Sequence, residues 1–141
     1  MSNDITRHGG CLCGAIRFEA QGAPISANYC HCQMCRKAGG APVVAWAMYH
    51  PDKVRVTGAL KFYRSSEKAE RGFCPQCGSA MMWRRIGRPG GKPVEALDLT
   101  AGCFDDPRGL QPASHIFMES AIPWLHIHDS LPRHAQWAPK V

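Results

Sequence analysis

The chain has 141 residues, 8 cysteines and a formal net charge of +6. This length is typical of one domain with its own core. No run of five like charges occurs, which argues against a nucleic-acid-binding arm. Residues 1–10 contain no apolar run, and the longest such run, residues 41–49, has nine residues against the roughly 20 that span a bilayer. We therefore expect no secretory signal and a cytoplasmic, reducing location, where clustered cysteines bind metals more often than they form disulfides.

Alternation of apolar and polar residues predicts about eight short strands and no amphipathic helix. Glycine, proline and polar turn residues separate the strands, so the sequence predicts an all-β single domain of short antiparallel strands. The predicted strands cover residues 15–19, 25–29, 43–49, 53–57, 60–64, 80–84, 94–99 and 115–118.

The remaining segments are interpreted as loops and ends. Residues 36–40 are expected to form a flexible loop, residues 65–70 a polar loop and residues 86–93 a Gly/Pro-rich loop. The chain from Leu131 is rich in proline and basic residues, which predicts a loosely held end. The expected organisation is an N-terminal tail at 1–8, one zinc-binding domain at 9–132 and a C-terminal tail at 133–141.

Seven of the eight cysteines fall into three short motifs. The first motif reads as strand, where residues i and i+2 face the same side, so two sulfurs can point at one ion. The last motif is a knuckle in which Gly78 supplies the positive φ of a tight turn. The motifs are Cys11-x-Cys13, Cys30-x-Cys32-x-x-Cys35 and Cys74-x-x-Cys77.

Spacing predicts metal binding but leaves the partition of the sulfurs open. The two outer pairs can form a closed four-thiolate site with the middle triplet as an open one, or two middle thiols can join an outer pair. Disulfides and plain buried thiols are the alternatives to metal. An all-thiolate tetrahedral site suits zinc or iron–sulfur chemistry, and zinc is preferred. Seven thiolates with two zinc ions would reduce the net charge to about +3.

The ordered motifs resemble the glutathione-dependent formaldehyde-activating (GFA), or centromere protein V-like, zinc-domain family. The resemblance covers about residues 9–132. It implies a β-tent fold, a structural zinc at the outer four cysteines and a second zinc at Cys30, Cys32 and Cys35. It is carried by Gly10-Cys11-x-Cys13-Gly14, Cys30-x-Cys32-x-x-Cys35-Arg36-Lys37, Arg71-x-Phe73-Cys74-x-x-Cys77-Gly78-Ser79, Tyr63-x-Ser65, Pro112-x-x-His115-Ile116, Pro123-Trp124 and Asp129-x-Leu131-Pro132.

The family's name activity joins formaldehyde to glutathione, and the implied class is a carbon–sulfur lyase. The expected cofactor is two zinc ions, and the expected partner is a small thiol such as glutathione, with no nucleic acid or membrane. Cys30, Cys32 and Cys35 would hold the catalytic ion. Arg36 and Lys37 are candidate glutathione contacts or a solvated basic loop. The rival hypothesis is a non-catalytic zinc-stabilised binding module, which a fourth protein ligand at the second site would favour.

Three histidine motifs invite functional and structural interpretations. His31 lies between ligands, so an extended backbone points it away from the metal, towards substrate or into packing. His115 and Glu119 are candidates to orient bound water, although His115 also reads as a buried histidine with its hydrogen bonds satisfied. His126 and His128 would share one strand face, but two ligands alone make a poor metal site.

Three tryptophans and the eighth cysteine are interpreted as structural residues. Trp46, Trp83 and Trp124 read as core or pocket wall. Cys103 reads as a buried inert thiol. Methionine sulfoxide reductases share the β-tent fold and use a late cysteine nucleophile, but their Arg-x-Cys-x-Asn context is absent, since Ala101 and Asp105 occupy those places.

Overall fold

The computed structural model describes residues 4–87 and 96–139. These residues form ten strands in two sheets. The smaller sheet has the order β1-β2-β5, with both neighbouring pairs antiparallel. Its strands are β1 (Thr6–Gly10), β2 (Arg17–Gln21) and β5 (Val54–Thr57). The predicted all-β class is confirmed, with one α-helix added.

The larger sheet has seven strands in the order β10-β3-β4-β9-β8-β7-β6. Its neighbours are antiparallel except for the parallel pair of β10 and β3. The strands are β3 (Ser26–Cys30), β4 (Val44–Tyr49), β6 (Lys61–Arg64), β7 (Ala69–Phe73), β8 (Ala80–Arg85), β9 (Leu97–Thr100) and β10 (His115–Ile116).

The one α-helix, α1 (Gln33–Gly39), occupies the segment that the sequence predicts to be a flexible loop. The prediction was wrong because the helix has its own caps. The Cys32 sulfur accepts a hydrogen bond from the Cys35 N–H at 3.2 Å, and Gly40 ends the helix at φ +61°. None of the helices in the described residues, including the 3₁₀ turns Pro51–Lys53, Ala101–Cys103 and Met118–Ser120, could cross a membrane.

Two strands, β1 and β7, lie where the sequence predicts none. β1 begins inside the expected tail 1–8, and its Gly9 is required because a side chain there would overlap the Phe18 ring. β7 carries charged residues and a glycine, so it lacks a clear alternation. All eight predicted strands have a counterpart, although residues 94 and 95 of the seventh lie outside the described part of the chain.

The main core joins residues of both sheets. Phe18 of β2 meets Phe104 edge to face with ring centroids 4.9 Å apart, and the Tyr49 hydroxyl donates to the Gly22 carbonyl at 3.0 Å. A smaller apolar cluster, which includes Trp46 of β4 and Ile116 of β10, surrounds the three-cysteine motif. The fold therefore places the three-cysteine motif and the outer cysteine pairs in different surroundings.

Residues 131–137 are held by backbone hydrogen bonds, in contrast to the expected loose end. The Phe117 N–H donates to the Gln136 carbonyl at 2.9 Å, and the His134 N–H donates to the His115 carbonyl at 2.9 Å. These bonds bring Trp137 against Phe117, with ring centroids 5.0 Å apart. The segment thus packs beside the smaller apolar cluster.

Candidate metal centres

The four outer cysteines converge at one point. The Sγ atoms of Cys11 and Cys13 lie 3.6 Å apart, and those of Cys13 and Cys74 lie 3.8 Å apart. All four sulfurs, including that of Cys77, lie within 4.8 Å of one another. A tetrahedral ion with zinc–sulfur bonds of about 2.3 Å separates its ligands by about 3.8 Å, so the donor set fits such an ion.

Tight turns aim these sulfurs. The strand predicted to carry Cys11 and Cys13 is not formed there. Instead the two residues lie in the turn between β1 and β2, where the Gly14 N–H donates to the Cys11 carbonyl. The second knuckle is as predicted, with Gly78 at φ +80°. Hydrogen bonding of its sulfur to Ser79 lowers the pKa of Cys77 to about 5, which favours the thiolate that a metal binds.

The three middle cysteines form a second cluster whose sulfurs also lie within 4.8 Å of one another. Cys30 ends β3, Cys32 caps α1 and Cys35 lies in the first turn of that helix. Cys30 and Cys35 are buried, whereas Cys32 is partly exposed. The strand-to-helix transition thus presents three sulfurs from six residues, open to solvent on the Cys32 side.

Within residues 4–87 and 96–139, no histidine, carboxylate or further cysteine joins this group of three. Contact with the neighbouring Cys32 sulfur raises the pKa of Cys30, since closely packed thiols resist ionising together. A cation removes that conflict. The donor set fits a metal ion with three protein ligands and one free position, the arrangement typical of catalytic zinc.

Arg71 of β7 reaches this cluster and was not singled out for it by the sequence. Both of its terminal nitrogens, Nη1 and Nη2, lie 3.7 Å from the Cys35 sulfur. The side chain is buried, with 9% exposed. The two residues are 36 positions apart, so only the fold shows the contact.

A cleft of about 260 Å³ lies beside α1, and its wall includes Ala41, which packs against the smaller apolar cluster that contains Cys30 and Cys35. It is lined by both basic residues that follow the motif, Arg36 and Lys37, and by the exposed ring of Trp124. Arg36 is part-buried and donates to the Ser120 carbonyl at 3.3 Å, whereas Lys37 is exposed in the last turn of α1. Trp46 instead belongs to the smaller apolar cluster that contains Cys30 and Cys35, and Trp83 packs against that cluster.

His31 points away from the sulfurs into a buried hydrogen-bond chain. Its Nε2 lies 2.8 Å from Nδ1 of His115, whose Nε2 lies 2.9 Å from the Asp129 carboxylate. Asp129 also pairs with Arg133 at 3.0 Å. Both imidazoles are almost fully buried, and burial lowers the pKa of His31. This series of hydrogen bonds fixes the ring of His115, which fits the interpretation of a structural histidine whose hydrogen bonds are satisfied.

The other candidate residues stay outside both clusters. Glu119 is exposed, and His126 and His128 line a separate cleft of about 270 Å³ together with His31 and His115. The Cys103 thiol donates to the Ala80 carbonyl at 3.5 Å, and burial raises its pKa to about 11. Cys103 packs against the main core and not against the three-cysteine cluster.

Fold and clusters together define a small β-sheet domain with two cysteine groups that can each hold a metal ion. The model of the glutathione-dependent formaldehyde-activating enzyme family matches residues 6–120, and the chain belongs to this family. The resemblance inferred from the motifs is thereby confirmed.

Two further comparisons agree with this assignment. A Schizosaccharomyces pombe protein described as an uncharacterized lyase is 34% identical over 73 residues. The match spans 52% of this chain and about half, 53%, of that protein. A crystal structure of a Rhodobacter sphaeroides protein has the same fold, with a TM-score of 0.57 at 24% identity, covering 77% of this chain and 98% of that one.

Proposed function

We propose that this protein is a zinc-dependent carbon–sulfur lyase-type enzyme that acts on the adduct of a small thiol with formaldehyde or a related small aldehyde. The three-cysteine cluster, with no fourth protein ligand among the described residues, is the observation that carries the proposal. Family membership and the lyase description of the fission-yeast relative support it. Glutathione is the proposed thiol.

The proposed reaction joins a thiolate to an aldehyde. The glutathione sulfur attacks the formaldehyde carbon, and the alkoxide that forms takes up a proton to give S-hydroxymethylglutathione; the lyase direction reverses these steps. A bound zinc with a free position supplies a way to lower the pKa of a thiol and hold it in place. Cys30, Cys32 and Cys35 are the proposed ligands of that ion.

Residues of the adjoining cleft are proposed to hold the rest of the substrate. Glutathione carries two carboxylates, and Lys37 presents an exposed ammonium on the cleft wall beside the Trp124 ring. Arg36 is already engaged with the Ser120 carbonyl, so it contributes charge and positions the wall. The four outer cysteines are proposed to bind a structural zinc.

The test follows hydroxymethyl exchange on glutathione at equilibrium by NMR, because the uncatalysed addition is itself quick. Zinc-loaded protein is expected to raise the exchange rate above that of buffer, and Cys32→Ser is expected to lose one zinc per chain, retain its fold and return the rate to the buffer value. Absence of enhancement from a protein that carries two zinc ions would reject the formaldehyde assignment.

The alternative is a non-catalytic binding module in which both metal ions are structural. Such a module would bind two ions but leave the exchange rate unchanged in wild type and in Cys32→Ser. The matched control is Cys103→Ser, which removes a thiol outside both clusters and is expected to keep two ions and full exchange. Wild type and the two variants together separate metal binding from turnover.

A further inference from the structure

Arg71 is a buried cation whose only described partner is a sulfur. Its guanidinium contacts Cys35 through both terminal nitrogens, at 3.7 Å each. No carboxylate of the described residues forms an ion pair with it, and its Nε has no hydrogen-bond partner there. A buried charge without a partner is strongly unfavourable. The sulfur cluster is therefore the counter-charge of Arg71.

The register of the sheet explains how Arg71 reaches the cluster. Arg71 of β7 lies opposite Trp83 of β8, and residues directly opposite in an antiparallel pair share one face. Trp83 packs against the smaller apolar cluster, which contains Cys30 and Cys35. The guanidinium therefore reaches Cys35 from the face of the sheet that carries Trp83, where Cys35 is buried, whereas Cys32 is partly exposed.

The charge sum of the centre shows what Arg71 changes. Three thiolates and one divalent ion carry a net charge of −1, and the guanidinium brings the sum to zero. A thiolate that enters the free position then raises the negative charge to −1 in place of −2. The four-cysteine cluster differs, because Cys13 is exposed to water and no guanidinium of the described residues hydrogen-bonds one of its sulfurs.

We propose that Arg71 is a positioning residue that neutralises the three-cysteine centre through Cys35, retaining its metal ion and favouring an anionic thiolate over a neutral ligand at the free position. The ligand preference rests on the proposed function, whereas metal retention does not. The proposed role needs both terminal nitrogens of the guanidinium, since both contact Cys35. Lysine, with a single ammonium, would replace the charge but not this paired contact.

The first test measures zinc affinity by competition with a chelator in Arg71→Met and Arg71→Lys. Loss of a group that orients a metal ligand commonly weakens binding about 10- to 100-fold, and we expect this for Arg71→Met at one site per chain, with a smaller loss for Arg71→Lys. The four-cysteine ion is the internal reference and is expected to stay bound with unchanged affinity.

The matched control is Arg84→Met. Arg84 is on the neighbouring strand β8, pairs with Glu70 at 2.7 Å and lies over the Phe62 ring, but has no contact with a sulfur. It is expected to leave both zinc affinities unchanged. Equal zinc affinity in wild type and Arg71→Met, or the same loss in Arg84→Met, would overturn the proposal.

A second readout separates charge from packing. In the cobalt-substituted protein, the visible spectrum reports binding of glutathione, an anionic thiolate, and of imidazole, a neutral ligand. Arg71→Met is expected to weaken glutathione more than imidazole, and Arg71→Lys to restore part of the difference. Equal weakening of both ligands contradicts the proposed preference, as does failure of both Arg71 variants to fold in excess zinc, since that points to a structural role.

This outcome is distinguishable from failure of the proposed function. If Arg71→Met weakens zinc binding while wild type gives no hydroxymethyl exchange, the neutralising role stands and the formaldehyde reaction is rejected. If exchange is catalysed and Arg71→Met retains zinc with wild-type affinity, the formaldehyde reaction stands and the neutralising role is rejected.

Discussion

The two cysteine clusters present the same donor atoms in different structural settings. The four-cysteine cluster joins two turns that lie 61 residues apart in the chain, as measured from Cys13 to Cys74. The three-cysteine cluster draws all its sulfurs from one six-residue stretch. A metal in the first cluster closes a long loop of the fold, whereas a metal in the second holds only a local bend. The comparison predicts that a metal at the four-cysteine cluster stabilises the fold and that a metal at the three-cysteine cluster takes part in the reaction.

Their surroundings differ in the same sense. Cys74 and Cys11 belong to the main core, which unites both sheets. Cys30 and Cys35 belong to the smaller cluster, where Arg71 supplies a buried positive charge and the cleft with Lys37 lies alongside. We therefore expect the groups that pack around each cluster to give identical thiol ligands different roles.

Cys74→Ser is the strongest way to break this comparison. Cys74 is fully buried, and its loss removes one of the four sulfurs through which a metal would join the two knuckle turns. Because metal binding of this kind is folding free energy, we expect the free energy of unfolding to fall by more than about 5 kcal/mol. Denaturant unfolding and zinc content measure it. An equal loss in Cys32→Ser would contradict the division of roles.

Asp98→Asn tests an acidic residue on the face of the larger sheet that carries Trp83. Asp98 is opposite Met48 and Trp83, neither of which carries a charge, and its Oδ1 has no described hydrogen-bond partner. Burial raises its pKa to about 7 from 3.8. The folded state therefore resists ionisation, so stability falls as the pH rises from about 4 to about 7 and stays low above that.

Asparagine cannot ionise and keeps the same shape. At pH 8 the substitution is expected to stabilise the protein by up to about 4 kcal/mol, and at pH 4 to change little. Denaturant unfolding at the two pH values measures the difference. An equal effect of Asp98→Asn at both pH values would show that the carboxyl ionises freely in the folded protein.

His115→Ala tests the buried chain beside the three-cysteine cluster. The imidazole is 1% exposed, stacks on Tyr29 with centroids 4.9 Å apart and bonds both His31 and Asp129. Removing it leaves the buried His31 imidazole without its partner and opens a cavity beside Tyr29, while Asp129 keeps Arg133, so we expect a loss of about 3 kcal/mol in the free energy of unfolding. The four-cysteine zinc is expected to remain. His8→Ala, at an exposed histidine, is the control and should change stability by less than about 0.5 kcal/mol.

Local sequence signals predicted much of this architecture. Strict alternation located β5 and most of β2, and the glycine after Cys77 marked a turn that does have a positive φ. The close spacing of the cysteines predicted metal clusters, but the assignment of four and three came from the family resemblance. Spacing alone could not decide it, because the partition depends on which distant turns meet in the fold.

What the sequence did not reveal depends on contacts between distant residues. The cap of α1 is a cysteine sulfur, which propensity rules for helix ends do not include. Arg71 reaches Cys35 across 36 positions, and His31 reaches His115 across 84. No period in the sequence marks such pairs, because they are set by strand order and register. The identity of the candidate ligands was thus predictable, whereas the groups that tune them were not.

Cys103→Ser is expected to have the smallest effect. It tests whether the eighth thiol belongs to either cysteine cluster. The thiol is half-buried beside the main core, its pKa is raised to about 11 by burial, and it donates to the Ala80 carbonyl. A serine hydroxyl can make the same hydrogen bond, so the free energy of unfolding should change by less than about 1 kcal/mol. Zinc content and hydroxymethyl exchange should match wild type. Loss of either would give the eighth thiol a role in a site, and the four-and-three division would then be incomplete.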